Sequence, residues 1–142
     1  MFSPGTILYF TPFYFKGDKT PAKNKYFISL GQKDNNLLLA TLPSSQDYVP
    51  TYASKNHGCI NIDDASFNCY YFEAAKIITT NGWAFPKPTY SYANWIDEYD
   101  QTSFEDKYAF EGIDYEQIGR LTETEFLNLI KCFITAPNIK NK

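Results

Sequence analysis

Short runs of apolar, β-prone residues separated by polar turns make up most of this chain. The clearest pair is 25–30 (KYFISL) and 37–42 (LLLATL), joined by the Gly-, Asp- and Asn-rich break GQKDNN. That composition is typical of a hairpin turn. Antiparallel pairing brings the end of the second strand beside the start of the first. The pattern therefore predicts a central β-hairpin, which needs further strands to cover it.

Similar runs elsewhere predict these further strands. They lie at residues 5–10, 59–62, 69–72, 76–80, 83–85 and 89–92. We expect 76–80 and 83–85 to form a tight hairpin, because Asn81-Gly82 between them supplies the positive φ that a type I′ turn requires. The remainder of 47–68 is polar and irregular and is predicted to be a long connection.

One amphipathic helix is predicted over about residues 122–135. Its apolar positions are 126, 129, 130 and 133, which form one stripe on a helix. Thr122 and Glu125 form a capping box, Pro137 stops the helix, and the tail 137–142 is expected to fray. Many short strands followed by one helix, without a repeat or linker, predict a single mainly β domain over 1–142. A small antiparallel barrel capped by the helix is the simplest architecture, because closure removes exposed strand edges.

The cysteines and the apolar runs bear on the cellular compartment. No apolar run approaches the roughly 20 residues that span a bilayer, and the first five residues do not resemble a secretion signal. Cys59, Cys69 and Cys132 are odd in number and show no CxxC spacing. We therefore expect three free thiols, no zinc site and a reducing cytoplasm.

Charge is distributed unevenly along the chain. The net charge of −3 and pI near 5.1 argue against indiscriminate nucleic-acid binding. Residues 1–34 carry five lysines against two aspartates, a balance of +3, whereas residues 94–117 carry eight acids against one lysine, a balance of −7. The basic end is suited to facing phosphates, which the acidic segment would repel. The alternative is that both are solvated loops of opposite sign.

Lysines and hydroxyls converge on one end of the predicted hairpin. Lys23 and Lys25 stand at the start of its first strand, and Ser44-Ser45-Gln46 directly follows its second. The loop 14–24 before them is basic, polar and flanked by aromatic residues, which favours a binding loop. Lys16 and Lys19 are its other lysines.

Other chemistry is weakly indicated. P-loop, GxSxG, HExxH and paired-cysteine motifs are absent, so we expect neither a metal nor a cofactor. The single histidine, His57, is predicted to be a surface residue in a turn, and the carboxylates of 97–116 an acidic surface rather than an acid/base pair. The aromatic content of 18% permits base stacking but equally suits the interior of a small barrel.

Several segments resemble, in the same order, the motifs of the MazF/PemK toxins, which are small SH3-like barrels that cut single-stranded RNA. Residues 4–10 (PGTILYF) resemble the opening strand, and 23–29 (KNKYFIS) occupy the place of the K-R-P-x-hydrophobic-Ser strand. Residues 39–46 (LATLPSSQ) resemble the strand ending in Thr-Ser-Gln, and 89–97 the strand after the small-residue turn. The most specific match is 118–126 (IGRLTETEF), which is similar to the IGRLSxEEL start of the last helix.

This resemblance implies a metal-independent endoribonuclease. In the family the RNA 2′-hydroxyl attacks the adjacent phosphate, leaving a cyclic phosphate and a 5′-hydroxyl, and an arginine and a Thr or Ser carry the chemistry. The hydroxyl role falls on Ser44, with Ser45 beside it. The family's Arg-Pro is missing, and Lys23 or Lys25 takes the place of the arginine without its bidentate fork. The substrate contacts would be Lys16, Lys19 and Gln46.

The resemblance also implies a cytoplasmic homodimer that binds RNA across its groove and is inhibited by an antitoxin protein. Two other functions remain open from the residues themselves. One is a non-catalytic SH3-like barrel that binds RNA or a protein partner. The other is a structural or regulatory protein whose acidic segment, 94–117, is the interaction surface.

Overall fold

The computed structural model describes residues 2–14, 23–42, 56–62 and 67–135, and antiparallel strands predominate in it. The strands of the described residues are β1 (Thr6–Phe13), β2 (Lys23–Lys33), β3 (Asn36–Leu42), β4 (Gly58–Ile62), β5 (Phe67–Phe72), β6 (Thr89–Tyr92), β7 (Ile96–Asp100) and β8 (Tyr115–Arg120). The helices are α1 (Gln101–Lys107) and α2 (Glu123–Ile134), with a 3-10 turn at Ala93–Trp95. The predicted mainly β class with a C-terminal helix is confirmed.

The strands pair into two antiparallel sheets. The larger has the order β7-β3-β2-β1-β8 and the smaller the order β4-β5-β6. The predicted central hairpin is confirmed as β2–β3, in which Tyr26 lies opposite Leu42 and Lys33 opposite Asn36. Its turn includes Asp34 at φ 56°, the left-handed conformation that aspartate tolerates better than most residues.

Residues 26–28 and 37–40 of the central hairpin are all apolar because the larger sheet is covered on both faces. One face packs against β5 and α2, and the core cluster there includes Ile7, Ile28, Leu42, Tyr70, Phe72, Leu129 and Phe133. The other face packs under α1 and the start of β8, with a largely aromatic cluster that includes Leu8, Phe10, Phe27, Leu39, Phe104, Tyr108 and Tyr115. Both clusters include residues of β2, the strand that carries Lys23 and Lys25.

Helix α2 follows the prediction closely. The Thr122 side chain accepts a hydrogen bond from the Glu125 N–H at 3.2 Å, which is half of the predicted capping box. Leu129 and Phe133 are buried, so the predicted apolar stripe is the face that packs on the sheets. The predicted tail, 137–142, lies outside the described residues.

The prediction of a type I′ hairpin over 76–85 is wrong. This stretch contains no strand, and only an isolated bridge joins Thr79 to Leu121. Gly82 alone of the Asn81-Gly82 pair has a positive φ, whereas a type I′ turn needs it at both central residues. The Thr79 hydroxyl accepts from the Trp83 N–H at 2.8 Å. A side chain therefore takes a backbone donor, as threonine often does in turns.

The acidic segment, 94–117, is only in part a solvated surface, since it contributes β7, α1 and the first part of β8 to the fold. Asp97 and Glu98 are exposed on β7, an edge strand of the larger sheet. Charged side chains on an edge discourage pairing with another chain. Asp100 caps α1 by accepting from the Ser103 N–H at 2.9 Å. These acids have structural positions that charge density alone did not predict.

Candidate functional site

The predicted site lies at the end of the β2–β3 hairpin where β2 starts and β3 finishes. The pairing of Tyr26 with Leu42 places the last described residue of β3 beside the first residues of β2. Lys23 and Lys25 lie there, opposite Phe13 and Phe10 of β1. The remaining predicted site residues lie outside the described residues, namely Lys16, Lys19, Ser44, Ser45 and Gln46. The structure thus describes two of the four lysines of the predicted site, Lys23 and Lys25.

The two lysines differ in their surroundings. Lys23 is exposed, whereas Lys25 is half-buried. Burial lowers the pKa of the Lys25 ammonium, and the positive charge of Lys23 lowers it further. A lysine with a lowered pKa gives up its proton more readily, so Lys25 is the better candidate for proton transfer. The exposed Lys23 side chain is suited to contacting a phosphate.

Aromatic packing holds the start of β2 in place. Tyr26, the residue after Lys25, lies 4.5 Å from the Tyr9 ring and 5.8 Å from the Trp83 ring, measured between ring centroids. Neighbouring residues on a strand point to opposite faces, so Tyr26 faces the core cluster and Lys25 points away from it. Burial raises the pKa of Tyr26. The ring contacts of Tyr26 hold the backbone from which Lys25 projects.

A second feature is an open cleft of about 810 Å³ between the start of β4 and α2. Its lining includes His57, Cys59, Tyr70, Lys76, Glu125 and Lys131. Lys76 and Lys131 are exposed, whereas Glu125 and Tyr70 are buried. The cleft therefore has a basic rim and an acidic group at its base.

The prediction that His57 is a surface residue is wrong, because its side chain is only 10% exposed and bonded on both sides. Nδ1 accepts from the Glu73 N–H at 3.1 Å, so the proton lies on Nε2, which donates to Glu125 Oε1 at 2.7 Å. The Tyr70 hydroxyl donates to the other Glu125 oxygen. Burial and this contact with Glu125 raise the pKa of Tyr70. Neither histidine nitrogen is free to act as a base.

The expectation of three free thiols is also wrong. Cys59 of β4 and Cys132 of α2 form a disulfide across 73 residues of sequence, and Cys69 is the cysteine outside that bond. The number and spacing of the cysteines did not reveal this pair. The two residues are far apart in sequence and meet only because a sheet packs on a helix. Disulfides are uncommon in reducing compartments. The cysteine pattern therefore no longer supports a cytoplasmic location.

Two further properties concern the described part of the chain. Its His, Cys, Asp and Glu side chains form no group of three or more that could hold a metal ion. None of its helices is both long and apolar enough to cross a membrane.

Comparisons of the chain with protein-family models, with curated proteins and with solved structures find no match.

Proposed function

We propose that this protein is a metal-independent endoribonuclease that cleaves single-stranded RNA. The observation that carries the proposal is the β2–β3 register, which places half-buried Lys25 at the same hairpin end as Leu42, two positions before Ser44 in the sequence. In the absence of a metal, a cation and a hydroxyl can stabilise the charge on the reacting phosphate, and an ammonium can also protonate the leaving oxygen. The resemblance of the motifs to the MazF/PemK toxins supports the same reaction.

The proposed roles follow from the surroundings of each residue. The RNA 2′-hydroxyl gives its proton to water as its oxygen bonds to phosphorus. The bond from phosphorus to the 5′-oxygen breaks, the leaving oxygen takes a proton from the Lys25 ammonium, and Lys25 regains a proton from solvent. The lowered pKa of Lys25 makes it a stronger acid than an ordinary lysine. Ser44, with Ser45 beside it, donates to a phosphate oxygen. Lys23 adds a second cation for the phosphate.

The rest of the proposal concerns partners. Lys16, Lys19 and Gln46 contact the RNA strand away from the scissile bond. The protein acts as a homodimer with RNA in the dimer groove, in the cytoplasm, and an antitoxin protein inhibits it. These points rest on the motif resemblance.

Cleavage in the absence of metal tests the proposal directly. Purified protein and mixed-sequence single-stranded RNA are incubated in EDTA, and the product ends are mapped. We expect 5′-hydroxyl ends, with cleavage lowered at least about 100-fold by Lys25→Ala or Ser44→Ala, since a general acid or a phosphate donor contributes factors of this order. Lys33→Ala is the matched control, because this exposed lysine lies at the far end of β2, about 30 Å from Lys23 at the usual strand rise.

Two results would contradict the proposal. If Lys33→Ala lowered cleavage as much as Lys25→Ala does, the reaction would not take place at the end of the hairpin that carries Lys25. RNA binding without cleavage, on an RNA that a known ribonuclease cuts, would identify a non-catalytic barrel instead.

The pH profile of cleavage reports the state of Lys25. Its pKa is lowered, so the ammonium is present at low pH and is lost as pH rises through a value below that of a free lysine. We expect cleavage to decline over that alkaline range. Lys25→Arg should abolish the decline, because a guanidinium stays charged over this pH range. This variant should still bind phosphate, but it should cleave more slowly because a guanidinium donates no proton to the leaving oxygen. The measurement is kcat against pH for both proteins; identical alkaline limbs would exclude Lys25 as the titrating group.

A further inference from the structure

The disulfide between Cys59 and Cys132 lines the open cleft, and its two cysteines are unequally exposed. Cys59 is exposed on β4, an edge strand of the smaller sheet, whereas Cys132 is 2% exposed on the inner face of α2. Both residues line the cleft of about 810 Å³. An attacking thiolate can reach only a sulfur that solvent reaches. The exposure therefore selects Cys59 as the sulfur that is attacked and Cys132 as the one that leaves.

A hydrogen-bond donor, the Asn68 Nδ2 group, lies nearer to Cys132 Sγ than to Cys59 Sγ, at 3.5 Å against 4.0 Å. The Asn68 Nδ2 group of β5 donates to the Cys132 carbonyl oxygen at 2.9 Å and lies 3.5 Å from Cys132 Sγ. An N–H directed at sulfur favours the thiolate over the thiol. The buried Oδ1 atom of the same Asn68 has no partner among the described residues. The acceptor for the thiol hydrogen that reduction creates is instead the Cys69 carbonyl oxygen, which lies 3.3 Å from Cys132 Sγ.

The third cysteine is placed where it does not interfere. Cys69 follows Asn68 on β5, so their side chains point to opposite faces of the smaller sheet. Asn68 faces α2, whereas Cys69 packs in a separate cluster with Ile60, Tyr90 and Tyr92. The Cys69 thiol therefore does not compete with an external thiol for attack on the disulfide.

We propose that the Cys59–Cys132 bond is a thiol–disulfide exchange site for a dithiol reductant that enters the cleft. A reductant thiolate attacks Cys59 Sγ, forming a mixed disulfide and releasing Cys132 as a thiolate. The second reductant thiol, as its thiolate, attacks the reductant sulfur of the mixed disulfide and releases Cys59. The reductant becomes an intramolecular disulfide, and the protein gains two electrons and two protons.

Reduction changes how α2 is held. In the oxidised protein α2 is joined to the smaller sheet covalently through Cys132 and by hydrogen bonds through Glu125 and Cys132. After reduction only the hydrogen bonds and the apolar packing remain, so α2 and the cleft wall open more readily. One argument rests on the proposed function: an enzyme that acts on RNA in the cytoplasm works where disulfides are usually transient and redox-sensing.

Reduction kinetics of the native protein test the proposal without using RNA. A non-reducing peptide map first establishes the 59–132 crosslink. Reduction by dithiothreitol is then followed without denaturant at increasing dithiothreitol concentration. We expect a rate proportional to dithiothreitol, because the exposed sulfur is attacked in the folded state. A rate that reaches a plateau equal to the unfolding rate would show a purely structural bridge and overturn the proposal.

The attacked sulfur is identified separately. The native protein is treated with reduced glutathione, quenched with acid and mapped by mass spectrometry. We expect the glutathione adduct on Cys59, at least about tenfold in excess over Cys132, since attack on a buried sulfur requires local opening. Cys69→Ser is the matched control and should leave both the rate and the adduct unchanged. An adduct mainly on Cys132 would refute the assignment. Neither measurement depends on cleavage activity, so their failure and the failure of the ribonuclease proposal are distinguishable.

Discussion

Reduction of the Cys59–Cys132 disulfide is expected to lower the free energy of unfolding by about 4 kcal/mol. The bond closes a loop with a sequence separation of 73 residues. In the chain-entropy treatment, the conformational freedom removed from the unfolded chain by a loop of this length corresponds to about 4 kcal/mol. This is a large share of the roughly 5–15 kcal/mol by which domains are stable. The bond is therefore expected to be a major source of stability.

Urea unfolding of the oxidised and fully reduced proteins measures this effect, with Cys59→Ser/Cys132→Ser as a second form that lacks the bond. Cys69→Ser is the control for the loss of a buried thiol, because Cys69 is buried and outside the bond. Equal unfolding free energies for the oxidised and reduced proteins would mean that the unfolded chain is already compact around this loop. The slope with urea would show this separately, because a crosslinked chain exposes less surface.

Replacement of Glu125 by alanine is expected to cost about 3 kcal/mol, because it leaves two buried donors without an acceptor. These donors are the Tyr70 hydroxyl and the His57 Nε2–H. Tyr70 is 1% exposed, so water can reach its hydroxyl only through the space that the carboxylate vacates at the base of the cleft. The network links β5 and the residue before β4 to the first turn of α2. Its loss therefore loosens the same helix that the disulfide holds.

Thermal and urea unfolding of Glu125→Ala should be compared with those of Glu123→Ala. Both acids lie in the first turn of α2, where a negative charge interacts favourably with the helix dipole, but Glu123 is exposed. We expect Glu123→Ala to cost less than about 1 kcal/mol, the usual size of a dipole contribution. An equal cost for the two variants would show that His57 and Tyr70 find other acceptors, and the network would then have no special weight.

The elements that local sequence specified were predicted well. The β2–β3 hairpin has its turn residues between its two apolar runs, and α2 has its cap, its stripe and its stop within about 16 residues. Interactions between near neighbours determine such elements, so a single sequence contains the information. The Asn81-Gly82 turn is the exception, because Thr79 offers the backbone a competing partner.

Elements that depend on distant partners were not predicted. Strand β7 lies within an acidic run, and it is a strand because it pairs with β3, about 60 residues earlier in the chain. The same holds for β8, which pairs with β1 more than 100 residues away. Edge strands tolerate charges that a central strand would exclude, so their composition resembles that of a loop.

The residues of the candidate sites likewise include some that the sequence predicted and some that only the structure revealed. The sequence by itself determined the mainly β class, the C-terminal helix, and the convergence of Lys23 and Lys25 on one end of the hairpin. Only the tertiary structure decided that Lys25 is half-buried, that His57 is bonded to Glu125, and that Cys59 meets Cys132. Burial and contact across 50 to 100 residues arise when a sheet packs on a helix, and that packing is a property of the whole chain rather than of any local pattern.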